Sequence, residues 1–359
     1  ISKTPVAPAD GFQDTPAPGV WSLAEALAYT KAGLWPSLSN GVASIGLFMG
    51  GVQTNGSRTD TINKVVVQTT GTTSDYGDLT EAKYAGATGG NTTRAVYMGG
   101  TGDTGYETGI DYLTYATGGT ASSFGSLATG SSSNNQGQLS NNVRTIAVPY
   151  TSGYNPPATI RYINPATTGN DVEFGTLGYT TNIGMVGSCS SSVRGIISGG
   201  YNNSTYENTI HYIDIVTGGT SVNFGDLAVQ VYSNSMASSA TRGVSAGGIL
   251  QAGGGTWLNT IEYITIASTG NATDFGDLTV AKRYIGTASS PTVGLFAGGT
   301  NSSSTNIQTI DAINFASTGN ATDFGSSLIT SARSSGGACN NMAAVQVPAT
   351  SSAMAFATG

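Results

Sequence analysis

Chemistry needs polar side chains that converge, and the candidates in this chain are few. The single histidine, His211, falls in a recurring slot held elsewhere by Asn63, Asp111, Arg161, Glu262 and Asp311. A position that accepts either sign of charge reads as a solvated strand end, so neither a metal ligand nor a catalytic histidine is expected there. A Ser-His-Asp arrangement fails for the same reason, because no partner of His211 stands out. Acidic residues flank a recurring aromatic-Gly pair, with Asp75, Asp274 and Asp323 before it and Asp78, Asp226 and Asp277 after it. They admit two readings: a Ca²⁺ site, which takes about six to eight oxygens, or ion pairs between repeats with Arg94, Arg144, Arg194 and Arg242. The arginines recur in step with the repeats, which favours the ion pairs. Carboxylates spread one per repeat suit a glycosidase poorly, since that chemistry needs two at about 5 to 9.5 Å. The chain is therefore read as non-enzymatic, with no catalytic residue, no metal and no cofactor.

The remaining candidates are aromatic. Tyr106, Tyr154, Tyr201, Tyr206 and Trp257 stand among Asn, Ser and Gly in segments of variable length. Aromatic faces beside amides and hydroxyls suit sugar stacking and hydrogen bonding, and adaptable binding loops have this composition. Ordinary turn composition is the competing reading.

What positions these residues is a repeat. The stretch TIEYITIASTGNATDFGDL, residues 260–278, has cousins beginning at Thr61, Gly109, Thr159, Thr209 and Thr309. In each copy the first Ile and the aromatic before Gly are fourteen positions apart: Ile62 to Tyr76, Ile110 to Phe124, Ile160 to Phe174, Ile210 to Phe224, Ile261 to Phe275 and Ile310 to Phe324. About ten residues earlier an apolar run closes on paired glycines, as in GLFMGG and GLFAGG, with TIAVPY in the degenerate third place. These runs end at residues 51, 100, 150, 200, 248 and 299, a period near fifty. Short apolar runs and Gly turns at that period are the mark of propeller blades. The expected fold is all-β, a six-bladed β-propeller, with a seventh composite blade as the runner-up. The six aromatics are expected to be buried between blades.

Composition agrees. There are 52 glycines in 359 residues, and charged residues are only 9% against roughly a quarter in soluble domains. β-branched and aromatic residues recur in register, which argues for a rigid body with Ser, Thr, Asn and Gly on its loops. A net charge of −7 with 13 Lys plus Arg leaves no basic stripe for nucleic acid. No apolar run approaches the roughly 18 residues of a spanning helix. Cys189 and Cys339 lie 150 positions apart, three periods, so they are read as one slot on opposite sides of the ring. That is too far for a disulfide, whose Cα atoms lie within about 7 Å, and buried thiols suit folding in a reducing cytoplasm.

In chain order, residues 1–44 read as an arm broken by Pro5, Pro8, Pro16 and Pro18, followed by a short helix over Trp21 to Pro36 with Ser22 and Glu25 as its capping box. That helix is either a plug against the propeller or a docking element for another subunit. The propeller is expected over 45–349, with a tail at 350–359. Each blade should run from an inner strand a outward to strand d. Strand b ends in the paired glycines, c is the TIxYI run, and d carries the aromatic. The c to d turns are uniform and the b to c connections vary, on opposite faces. Because the chain enters at strand b, the first blade lacks strand a. The stretch Thr330 to Cys339 is expected to supply it, leaving Ala343 to Pro348 as a surplus strand.

An apolar run ending in Gly-Gly, a TIxYI strand, and an aromatic shortly before Lys83, Lys282 or Arg333 together resemble the kelch repeat, over roughly residues 45–349. Phe or Tyr stands here where that family has Trp. More particularly, the blade text preceded by PGVWSL and GLWP resembles virion structural proteins of tailed phages, marine and cyanobacterial ones above all. That resemblance implies a tail fibre or other virion appendage, made in the host cytoplasm, oligomeric, and contacting virion or self subunits through the N-terminal arm and the C-terminal strand. Its exposed loops would meet a host glycan or surface protein. Two alternatives stay open: an enzyme degrading surface polysaccharide, and a bacterial surface filament or lectin subunit.

Overall fold

The computed structural model describes residues 44–128, 136–137, 139–148, 159–179, 183–201, 204–251, 255–326, 332–333 and 336–339. The expected N-terminal arm and helix, the surplus strand and Tyr154 lie outside the described residues. The rest is a six-bladed β-propeller. The fifth blade shows the pattern, with antiparallel strands a to d at Ser235–Ser238, Arg242–Ala246, Thr260–Thr265 and Thr273–Asp277. The invariant fourteen-residue spacing is the register of the c–d hairpin. Ile261 pairs with Gly276, and the same Ile-to-Gly pairing recurs in every blade, with a bulge immediately after the Ile. One inserted residue would turn every later side chain to the wrong face.

The hydrophobic core is divided among the blade junctions. Among the described residues, six clusters of buried side chains each join two neighbouring blades, and each includes or abuts one of the six aromatics. Phe124, Phe224, Phe275 and Phe324 are buried as expected, whereas Tyr76 and Phe174 are half-buried. The glycine after each aromatic is fixed by close approach of the next blade. A Cβ on Gly276 would lie 2.4 Å from the Gly319 carbonyl oxygen, and one on Gly77 would lie 1.9 Å from that of Gly119. Gly325 stands 2.4 Å, by the same measure, from the Gly71 carbonyl oxygen, so the contact also joins the sixth blade to the first. Backbone hydrogen bonds reinforce these contacts, such as Gly319 N to Phe275 O at 2.7 Å and Gly71 N to Phe324 O at 3.0 Å.

The ring closes as the sequence anticipated. Gly336–Cys339 is the inner strand of the first blade, pairing antiparallel with Ile45–Gln53 through Gly46 with Cys339 and Leu47 with Ala338. The two cysteines are buried thiols, but they do not share a slot. Cys189 pairs with Ile196, whose counterpart Leu47 pairs with Ala338, so Cys339 is displaced by one residue and faces the opposite side of its strand. Cys339 accordingly joins the cluster around Phe48, while Cys189 packs with Ile196 and Phe224.

Serine is not confined to loops, contrary to expectation. Six inner strands converging on one axis leave no room for large side chains, and their backbones cannot all pair with one another. Hydroxyls fill the gap: Ser190 Oγ donates to Ser140 O at 2.7 Å, Ser238 Oγ to Ser190 O at 2.8 Å, and Thr88 Oγ1 to Gly337 O at 2.7 Å. Among the described residues, the inner strand of the third blade meets strand b at the Ser140–Thr145 bridge and through Ile146 N donating to Leu139 O at 2.9 Å. Gln136–Gly137 pairs in parallel with Gly187–Ser190 and Ser235–Ser238, and its backbone lies near the inner strands of the other five blades.

Two polar features differ from expectation. The arginines do bridge blades, but to carbonyls rather than to carboxylates. Each guanidinium lies over a tyrosine of its own blade: Arg94 over Tyr112 at 4.6 Å, Arg144 over Tyr162 at 5.3 Å, Arg194 over Tyr212 and Arg242 over Tyr263 at 4.7 Å. It then donates to the end of strand c in the next blade, as from Arg194 Nη1 to Ile266 O at 2.9 Å and Ala267 O at 2.8 Å. Strand-end carbonyls are left unpaired by the turn, and a fork of N–H donors satisfies them.

The His211 slot is buried, not solvated. Asn63, Asp111, His211, Glu262 and Asp311 are all buried, and Arg161 is half-buried. Diversity is tolerated there because each member carries its own complement. Asp111 pairs with buried Lys83 and Asp311 with buried Lys282, both at 2.9 Å. Arg161 Nε pairs with Asp171 at 2.6 Å, Glu262 accepts from Ala228 N at 3.0 Å, and His211 Nδ1 meets Ser221 Oγ at 3.2 Å while stacking on Tyr179 with centroids 3.9 Å apart. The segment after strand d of the preceding blade docks on this layer, through Thr80 and Thr279 hydroxyls or the Ala128, Gly178 and Ala228 amides.

Candidate functional site

The variable b to c connections gather three of the expected aromatic residues in one cluster. Tyr201 and Tyr206 form a bridge at the mouth of the fourth blade, with their rings 5.6 Å apart and nearly perpendicular. Tyr232, on the long outer strand Val222–Tyr232, lies 5.8 Å from Tyr201 and 4.4 Å from Tyr206 by ring centroid. Trp257, on Thr256–Trp257 of the fifth blade, joins through Arg283, whose guanidinium lies 4.5 Å from the Trp257 ring, 4.4 Å from Tyr284 and 5.7 Å from Tyr232. Arg283 Nη1 also donates to the Tyr232 hydroxyl at 2.6 Å. All six side chains are half-buried. Tyr106 stands elsewhere, exposed at the hairpin made by Thr101–Gly102 and Gly105–Tyr106 of the second blade.

Tyr232, Arg283 and Tyr284 had no place in the sequence reading. Tyr84, Gly184, Tyr232 and Arg283 occupy one ring position, just before the chain turns into an inner strand. The next residue in each case, Ala85, Met185, Ser233 or Tyr284, is a non-glycine with φ near +57°. Left-handed backbone at a residue other than glycine is uncommon and costs on the order of 1 kcal/mol or more. The packed inner strand enforces it, and the effect is to aim Tyr84, Tyr232 and Arg283 at the loop face. The signal in the sequence was the tripeptide KRY at 282–284, set against LysTyr at 83–84, and it is visible only once the blades are aligned on their inner strands.

Chemically the cluster offers flat apolar faces, tyrosine hydroxyls and one fixed cation. Burial raises the Tyr232 phenol above its usual range, while Arg283 pulls it down, so the hydroxyl stays protonated as a donor or acceptor. The titratable groups of the buried polar layer are committed to structure. Burial raises the Glu262 carboxyl and lowers the His211 imidazole, and each is held by a single neutral partner. Burial also pushes the Cys189 thiol up to about 12, which leaves it unreactive at neutral pH. Among the described residues no three His, Cys, Asp or Glu side chains gather as a metal-ligand group, and Asp75 and Asp323 accept from Gly77 N and Gly325 N within their own turns. No helix among the described residues is long and apolar enough to cross a membrane. The chain matches no protein-family model, and no curated protein is similar to it at a significant level.

Proposed function

We propose that this protein is a non-enzymatic structural and adhesive component of a virion, a tail fibre or other appendage, whose propeller displays its b to c face to a host glycan or surface protein. The observation that supports the reading is the asymmetry of the two faces. The c to d turns are nearly uniform and are used up in joining blades, whereas the opposite face carries connections of differing length and the cluster of Tyr201, Tyr206, Tyr232, Trp257 and Arg283. Aromatic faces next to fixed donors are what the rings and hydroxyls of sugars require. The virion assignment follows the likeness of the blade text and of residues 18–36 to phage structural proteins. The test is a glycan array probed with the labelled protein, and in parallel with Trp257→Ala and Tyr106→Ala. The reading expects binding to a defined glycan class that Trp257→Ala weakens by about tenfold, the worth of one stacking contact plus its hydrogen bonds. Release of shortened oligosaccharides during incubation would instead favour the polysaccharide-degrading alternative, and binding untouched by either substitution would remove the loop face from recognition.

A further inference from the structure

The junction between the sixth and first blades lacks a part that the others have. At four junctions a guanidinium from the foot of strand b lies on a tyrosine ring and donates to the carbonyls ending strand c of the next blade: Pro165 and Ala166, Ile215 and Val216, Ile266 and Ala267, or Phe315. At the first blade Ile45 takes the arginine position and Lys64 the tyrosine position. That junction compensates. Its outer aromatic is the only tyrosine of the six, and the Tyr76 hydroxyl donates to the Tyr115 carbonyl, with Lys64 Nζ 4.6 Å from the ring.

The sixth blade has neither device. Val293 stands at the arginine position, Ala312 at the tyrosine position, and the outer aromatic is Phe324, with no hydroxyl. The carbonyls it faces are those of Val67 and Gln68, identified by register: Val67 N bonds Ser44 O as Ile215 N bonds Val193 O. Among the described residues no donor reaches either carbonyl, and the Gln68 side chain is turned away onto Ser44. The two truncated side chains leave a cleft of about 380 Å³, with Val293, Ala312, Phe275 and Phe324 as its apolar walls and Val67 and Gln68 among its lining residues.

We propose that this cleft is a binding site for a guanidinium or amidinium cation carried on a flat or short apolar body. The molecule contains its own templates for such a ligand. Four times over, the same backbone arrangement holds a planar cation between an aromatic face and carbonyl oxygens. The guanidinium of Arg144 lies 5.4 Å from the Phe174 ring, so a phenylalanine in the outer position serves as the face. The ligand's cation takes the place of the missing arginine head, and its body takes the place of the missing tyrosine ring. The site lies on the c to d side and is independent of the loop face.

The experiment is calorimetric titration of the full chain with benzamidine, with benzoate as its anionic match in shape, and with the peptide acetyl-Gly-Arg-Gly-amide. Two variants refill the site: Val293→Arg with Ala312→Tyr, which rebuilds the pair of the other junctions, and Phe324→Tyr, which repeats the Tyr76 solution by adding one hydroxyl, the thermal melt of each being checked against the wild type. Benzamidine or the peptide should bind the wild type, benzoate should not, and both variants should bind at least about tenfold more weakly, as the loss of a charge-assisted hydrogen bond implies. Tighter binding of the peptide identifies an arginine side chain of a protein partner, and tighter binding of benzamidine a free small molecule. Binding of neither cation, equal binding of benzoate, or undiminished binding by both variants would overturn the proposal.

Discussion

Replacing Gly276 by alanine tests the physical core of the propeller, the clip between one blade's outer strand and the next blade's turn. The new Cβ would lie 2.4 Å from the Gly319 carbonyl oxygen, 2.5 Å from its carbon and 2.8 Å from Asn320 N, all backbone atoms that no rotamer change can move. Ordinary contact requires the turn to retreat by about 1 Å. The retreat stretches two hydrogen bonds, Gly319 N to Phe275 O at 2.7 Å and Ala321 N to Asp277 O at 2.8 Å. At about 1 kcal/mol net for each bond, plus about 1 kcal/mol for holding a side chain at φ of +146°, the expected loss is about 3 kcal/mol. Gly119→Ala is the control. Its φ is +88° with nothing within 4 Å of the added carbon, so only the backbone term of about 1 kcal/mol applies. Urea unfolding of both variants, followed by tryptophan fluorescence, measures the difference. If Gly276→Ala loses no more than Gly119→Ala, the turn yields freely, and close approach is not what demands glycine after each aromatic.

Lys282→Met leaves Asp311 buried without its cation and should cost about 3 to 5 kcal/mol, whereas the double change with Asp311→Leu should recover much of that loss, both read by denaturant midpoint. Because burial lowers the His211 pKa, the unfolded chain binds its proton first; stability attributable to His211 is intact above its ordinary pKa near 6.5 and falls as pH drops through its folded value. Thermal melts at pH 7.5 and 5.0 should thus show a smaller acid-induced drop for His211→Gln than for the wild type, and an equal drop would refute the assignment. A chain ending at residue 342 should retain a cooperative melt, while one ending at residue 335 should not, because Gly336–Cys339 is the inner strand over Leu47 and Phe48; equal melting of the two would show that the first blade closes without it.

The architecture was legible in the sequence because a hairpin's register is a local property. Fourteen residues from Ile261 to Phe275 specify one c–d pair, the recurrence of that unit counts the blades, and the missing first strand a announces that a C-terminal segment must return to fill it. The aromatic loop residues could also be picked out by type, and Tyr201, Tyr206 and Trp257 do assemble. What the chain alone did not reveal was how polar groups on different blades, or on different strands of one blade, are partnered. The slot of Asp111, Arg161, His211 and Glu262 looked solvated because its charges vary, yet each is matched by a separate partner brought near by the fold: Lys83, Asp171, Ser221 and the Ala228 amide. Carbonyl acceptors for the arginines carry no side-chain signature at all, so Arg194 on Ile266 and Ala267 could not be read, nor could the vacancy at Val293 and Ala312 be seen as a cleft. Local pairing is written in short-range pattern, whereas burial and partnership depend on which surfaces the closed ring presses together, and only the ring decides that.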